Sequence, residues 1–222
     1  MTVRDLLPLL PDPAGLRARC RGIALLDSIL APHAPMHAFV RHWREGVDLA
    51  TMDNGSGDDY AIVFDPAGVF LSGFDHESHA SRWRDEDREH WPGLLDGLPT
   101  PLAHYAQTPE FQFEGFLDVT VCAWRERGAA EWRCGPVEFG VGETDGAEGL
   151  FGLLVDEGPE AYAGFAEDCF GRPVDRAAVA AVLAGGPLTR RTVEALSAGA
   201  DFEAVAARAR AMGHGEPAGP GA

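Results

Sequence analysis

The sequence predicts an α+β fold: an N-terminal helical segment, an antiparallel-rich sheet over residues 36–155, and a small C-terminal helical subdomain at 159–212. Three observations carry that expectation: a strand–turn–strand pattern at 60–74, a second one at 119–133, and four amphipathic helical stretches after Gly158. The chain has 222 residues, enough for one sizeable core, and its 45% apolar content with five tryptophans excludes a mostly disordered chain. The expected division is an α+β domain at 1–158, the helical subdomain at 159–212 and a disordered tail at 213–222.

Residues 2–31 read as helix in pieces. Leu6, Leu7, Leu9 and Leu10 form an apolar patch closed by Pro11 and Pro13, and Leu16, Ile23, Leu26, Ile29 and Leu30 then recur at helical spacing until Pro32. Residues 36–52 mix aromatics and charges around Phe39, Val40, Trp43 and Val47, and predict one or two strands. Residues 60–64 and 69–74 flank Asp65-Pro66-Ala67-Gly68, whose Asp, Pro and Gly suit a type I turn. Tyr60, Ile62 and Phe64 share one face, while Ala61 and Val63 take the other. Both faces are apolar, so this hairpin is expected to be covered on both sides and central to the fold.

The polar stretch 75–90 leads into 91–99, which reads as a short helical turn between breakers. Farther on, Trp124 and Trp132 lie symmetrically about Gly128, as do Cys122 and Cys134. A symmetric loop at Arg127-Gly128-Ala129 sets Trp opposite Trp and Cys opposite Cys on one face, with bridging of the thiols left open. A packed aromatic pair is preferred here to a sugar-stacking platform. The closing helices are expected at 159–170, 175–183, 189–196 and 201–212. Asp175, Thr189 and Asp201 serve as N-caps, and Gly171, Gly185 and Gly213 as terminators.

The formal charge is −17, and all 18 cationic residues are arginine. The absence of lysine excludes Schiff-base chemistry and a P-loop lysine. The charge is concentrated: residues 51–158 carry 6 arginines against 22 acids, whereas both helical ends are nearly neutral. Nucleic-acid binding by charge is disfavoured; the acidic central region can attract a basic protein partner, and solubility alone explains the same charge. No apolar run approaches the roughly 20 residues that span a bilayer, the N-terminus does not read as a signal peptide, and the expected location is cytoplasmic. Four scattered cysteines without a C-x-x-C pattern form neither a zinc framework nor a disulfide scaffold.

Function is expected between Asp53 and His79, with Asp53, Asn54, Ser56, Asp58, Asp75, His76, Glu77 and His79 as candidate binding residues. The loop from Asp53 to Asp59 is rich in oxygen ligands, yet it fails the EF-hand pattern, since its sixth position is Asp58 and its twelfth is Phe64. Gly55-Ser56-Gly57 precedes a strand and is no nucleophile elbow. His76 and His79, three residues apart, suit a shared metal on one helical turn, and Asp75 beside His76 suits acid–base work. A third ligand is missing locally, and hydrogen-bonded histidines in a polar loop explain the same residues. No catalytic residue, metal or cofactor is assigned. Residues 82–89 alternate in charge and read as a solvated surface, and residues 189–212 read as a packing bundle rather than a helix-turn-helix.

On the segments Asp53-Asn54-Gly55-Ser56-Gly57-Asp58-Asp59-Tyr60 and Phe74-Asp75-His76-Glu77-Ser78, with the W-P-G-L-x-D-x-L-P stretch at 91–99 and the paired-Trp hairpin, the chain resembles a family of uncharacterised bacterial proteins. That resemblance covers most of the chain and implies no activity. The glycine-rich acidic turn before the Tyr60 strand is also similar, over about 30 residues, to the SUKH superfamily of immunity and regulatory proteins. The expected function is therefore a non-enzymatic protein-binding protein of immunity or regulatory type with an acidic interaction face. The rival is a small-molecule or metal-dependent enzyme centred on Asp75, His76, Glu77 and His79. Convergence of Asp53, Asp58, His76 and His79 on one concave pocket favours the enzyme; a flat acidic face favours the partner.

Overall fold

The N-terminal leucines fold in pieces. In a computed structural model that describes residues 1–84, 86–156, 158–171 and 173–215, Val3–Leu6 forms helix α1, Leu7–Leu9 a 3₁₀ turn and Pro13–Leu30 helix α2. Asp12 starts α2 by accepting the Gly15 N–H at 2.8 Å, with Pro13 in the first turn where no N–H is needed. Four strands follow as a meander: β1 (His37–Arg44), β2 (Val47–Asp53), β3 (Asp59–Asp65) and β4 (Gly68–Phe74). Helix α3 (Thr100–Ala103) and the small hairpin β5 (Gln112–Phe113) and β6 (Phe116–Leu117) precede β7 (Val121–Glu126) and β8 (Arg133–Cys134). The chain then continues through α4 (Ala147–Val155), α5 (Pro159–Phe170), α6 (Arg176–Leu183), α7 (Arg190–Leu196) and α8 (Phe202–Met212).

The main sheet is antiparallel in the order β1-β2-β3-β4-β7-β8, so the hairpin β3–β4 is central. Its residues are buried on both faces apart from the strand ends, as the two apolar faces require. One face carries Phe39, Ala50, Ile62, Leu71 and Ala123 in register and packs beneath the helices. Arg17 and Arg21 of α2 lie over Phe64 and Phe39, and Phe151 of α4 lies against Tyr60. The other face carries Leu49, Val63, Phe70 and Trp124 and is only partly covered, by the segment that includes Tyr105, stacked on Phe70 at 6.0 Å. Gly68 closes the β3–β4 turn at φ +150, where an added Cβ would stand 2.3 Å from the Arg125 carbonyl oxygen. Only glycine fits there.

A buried network fastens the C-terminal helices to the sheet. Asp27 of α2 is fully buried and accepts hydrogen bonds from Met36 N–H (3.1 Å), His37 N–H (2.9 Å) and the Tyr162 hydroxyl of α5 (2.6 Å), with His37 Nδ1 at 2.9 Å. Helices α5 to α8 all touch α2. Asp175, Thr189 and Asp201 cap α6, α7 and α8 through their side chains, as expected. Gly171 and Gly213 close α5 and α8 in the left-handed conformation.

Three details differ from expectation. The sheet ends at Cys134, and residues 147–155, within the range assigned to the sheet, form α4. Ala147, Leu150, Phe151 and Leu154 give it a buried helical stripe. The second hairpin is shifted by one residue: Trp124 pairs with Arg133 and Ala123 with Cys134. Trp132 instead donates its indole N–H to the Pro11 carbonyl at 2.8 Å, which pulls it out of the ladder. Cys134 thus shares the Ala123 face while Cys122 is on the other, and all four thiols are free. Where one short helical turn is expected, residues 91–99 form successive turns, each closed by a bond from an N–H to the carbonyl three residues before it, with Gly93 and Gly97 at positive φ. Of the expected disordered tail, 213–215 form a turn in which His214 N–H bonds the Ala209 carbonyl, and 216–222 lie outside the described residues. Among the described residues, no helix is long and apolar enough to cross a membrane.

Candidate functional site

The end of the partly covered sheet face opens into a cleft of about 870 Å³. Strand alternation builds its floor, because Leu49 and Thr51 of β2, Ala61 of β3 and Ser72 of β4 share that face. Aromatic walls come from Phe74, Trp83, Phe111 and Phe113. Trp83 and Phe113 meet edge to face at 5.8 Å and are 37% and 59% exposed, an uncommon amount of open ring surface for side chains of this size. Carboxylates Asp53, Asp59, Glu110 and Asp118 line the same space; Glu110 is paired with Arg44 at 3.2 Å, and no arginine stands among the described lining residues.

The turn from β2 into β3 is tied by its own polar side chains. The Asn54 side-chain carbonyl accepts N–H bonds from Ser56 (2.8 Å) and Asp58 (3.1 Å), while its Nδ2 donates to Asp58 Oδ2 at 2.7 Å. Asp53 Oδ1 accepts the Gly55 N–H at 2.7 Å. Asn54 is therefore an organiser of the turn, and Asp53 and Ser56 line the cleft.

Beside this turn, Asp58 Oδ1 faces His76 Nδ1 at 2.6 Å and accepts the His76 N–H at 3.0 Å. Burial pulls the Asp58 carboxyl upward, but the hydrogen bonds from the His76 ring, the His76 backbone and Asn54 outweigh it and hold the group below its usual range. The same bond from Asp58 lifts the His76 imidazole above its ordinary value, assisted by the charges of Asp58, Glu77 and Asp75. His76 lines the cleft mouth. His79 does not join it: its Nδ1 accepts the Thr144 N–H at 3.4 Å. Glu77 is exposed, and Asp75 Oδ1 is occupied by the Glu77 N–H at 2.9 Å. Gly146, at φ +83, makes room for Asp75, since an added Cβ would lie 2.3 Å from the Asp75 Cβ.

Asp58, Asp75 and His76 bring ligand-type atoms within 4.8 Å of one another, the one such trio among the described residues. Both Asp58 oxygens and one of Asp75 already accept hydrogen bonds, and the His76 ring nitrogen nearest the trio is taken up by Asp58 Oδ1 at 2.6 Å. These residues fit a carboxylate-oriented imidazole better than a set of converging metal ligands.

Several lining residues escaped the sequence reading: Asp59, Trp83, Glu110, Phe111, Phe113 and Asp118. Asp59 stands directly across from Asp53 at the open ends of β3 and β2. Burial, then repulsion from Asp53, Asp118 and Asp58, raises its carboxyl to about 6. Asp118 is half-buried; desolvation lifts its carboxyl, opposed by the Trp83 indole N–H that it accepts at 2.7 Å. Asp59 was legible from strand alternation, which puts it on the Ala61 face. The others come from irregular segments with no periodicity to read.

Among known proteins, the chain matches no family model, no curated protein and no solved structure.

Proposed function

We propose that the protein is a non-enzymatic binding protein of immunity or regulatory type whose acidic cleft receives a basic segment of a partner protein. The observation behind this is the cleft's lining: four carboxylates, one of them (Glu110) paired with Arg44, and three exposed or part-exposed aromatic rings, Trp83, Phe111 and Phe113. Such a lining attracts cations electrostatically and offers apolar surface to bury on contact. The glycine-rich acidic turn before the Tyr60 strand, which is similar to that of the SUKH superfamily, forms one rim of it.

The test is capture by immobilised protein from native lysate at low salt, comparing wild type with Asp53→Lys/Asp59→Lys. Both residues are exposed, so the double variant is expected to fold. A partner held by wild type, released by salt and lost with the reversed charges is the expected result. Bands that are identical for both proteins, or no partner at low salt, contradict it.

The rival enzyme is favoured by the concavity of the site and by the Asp58–His76 dyad, in which a carboxylate orients an imidazole at the cleft mouth. Asp53 and His76 line the cleft and Asp58 backs His76 at 2.6 Å, but His79 is held elsewhere by Thr144. An enzyme of this kind requires a turnover that His76→Ala abolishes.

A further inference from the structure

Resting on that reading, we propose that the carboxylate end of the cleft seats one arginine side chain of the partner. Asp59 and Asp53 hold its guanidinium, and its stem lies along Phe111 and Phe113. The starting point is an uncompensated pair. Asp53 and Asp59 are direct cross-strand neighbours on one face, an arrangement that destabilises a sheet when both side chains carry the same charge. Among the described residues, the Asp59 carboxylate accepts no hydrogen bond, and Asp53 accepts one, on Oδ1. Three acceptor oxygens therefore stand open at the end of the sheet.

Asp118 adds a third charge behind them. Its Oδ2 takes the Trp83 indole N–H, while its Oδ1 is shielded from solvent without a partner. Its charge is felt at Asp59, although Arg82 and His90 offset part of it. The five N–H donors of a guanidinium lie in one plane and match several carboxylate oxygens at once, whereas an ammonium is a compact, strongly hydrated point charge.

The rings of this region already show the same preference. Arg44 lies over Trp43, Arg82 over Phe116, Arg84 over Trp91 and Arg88 over Trp83, with guanidinium carbons 4.0–4.6 Å from the ring centres. Among the described residues, no guanidinium is seen over Phe111 or Phe113, two of the rings on the cleft wall. Arg88 on Trp83 and Arg44 on Glu110 already occupy the outer part of the cleft, so the Asp53–Asp59 pair with Phe111 and Phe113 is the part complementary to one further arginine.

The test uses NMR titration of the full chain with short glycine–serine peptides that carry a single central arginine, lysine or citrulline. Citrulline keeps the shape of arginine and removes its charge. The arginine peptide is expected to bind at least about tenfold more tightly than either of the others. Asp59→Asn is expected to weaken it by about tenfold, and Glu131→Gln, on the exposed β7–β8 connection, to leave it unchanged. Equal binding of citrulline or lysine, or an unaffected Asp59→Asn protein, overturns the arginine seat. If the peptides fail while partner capture still depends on Asp53 and Asp59, the arginine seat alone falls. If capture is also indifferent to them, the cleft reading falls with it.

Discussion

Replacing Asp59 by asparagine is expected to make the protein more stable while weakening its site. The Asp59 carboxyl is raised from 3.8 to about 6, first by burial and then by Asp53, Asp118 and Asp58. A carboxyl whose folded pKa exceeds its unfolded value binds more protons when folded. Its effect is therefore neutral in acid, and stability falls as pH rises from 3.8 to about 6 and stays lower above that. A shift of this size corresponds to about 3 kcal/mol without screening. Asp59 is exposed to water in the cleft, which reduces the figure to on the order of 1 kcal/mol. Asparagine keeps the shape and removes the charge. Thermal unfolding followed by circular dichroism is expected to show Asp59→Asn melting about 2–4 °C higher near neutral pH, with most of the gain gone at about pH 4. A variant that is less stable at neutral pH, or equally stabilised in acid, refutes the repulsion on which the cation seat depends.

Asp27→Ala leaves two backbone N–H groups, the His37 ring and the Tyr162 hydroxyl without their acceptor, so a loss of about 3–5 kcal/mol is expected in denaturant titration. Tyr162→Phe, which removes one of those donors, is expected to cost about 1–2 kcal/mol. Gly68→Ala forces a Cβ to within 2.3 Å of the Arg125 carbonyl, and an unfolding midpoint lowered by about 3 kcal/mol is expected; an unchanged midpoint contradicts the turn geometry. Binding of an arginine peptide is expected to strengthen as pH rises through about 6, where Asp59 ionises. The groups facing it are Asp53 on β2, Asp58 in the adjoining turn and Asp118 beyond β6, all acidic. His76 at the mouth loses its competing charge in the same direction, above its raised pKa. Affinity that is flat or falls over that range is the contrary result.

The parts of the fold that local chemistry specifies were readable in the sequence. Asp65, Pro66 and Gly68 define a turn that almost any tertiary setting would accept, and two apolar faces place β3–β4 at the centre. Asp175, Thr189 and Asp201 mark helix starts because each side chain satisfies backbone N–H groups of its own first turn. The β7–β8 register was not readable, because it depends on the Trp132 indole reaching Pro11, which is distant in sequence. Symmetry about Gly128 carried no information about that contact.

The site divides the same way. Its near rim, from Asp53 to Asp58 with His76, is built from short-range polar contacts and was visible as a cluster. Its far wall was not. Trp83, Glu110, Phe111 and Phe113 are carried over the sheet by irregular turns, whose course is set by tertiary packing such as Tyr105 on Phe70. The concentration of acid in residues 51–158 takes in the cleft's carboxylates but carries no information about the concavity.

Chemical-shift mapping of the arginine peptide on the 222-residue chain tests the central claim most directly. Shifts concentrated at Asp53, Asp59, Trp83, Phe113 and Asp118, and absent from the Asp53→Lys/Asp59→Lys protein, are the expected result. Shifts scattered over the acidic surface, or unchanged by the double substitution, would show that the cleft is not where a basic partner binds.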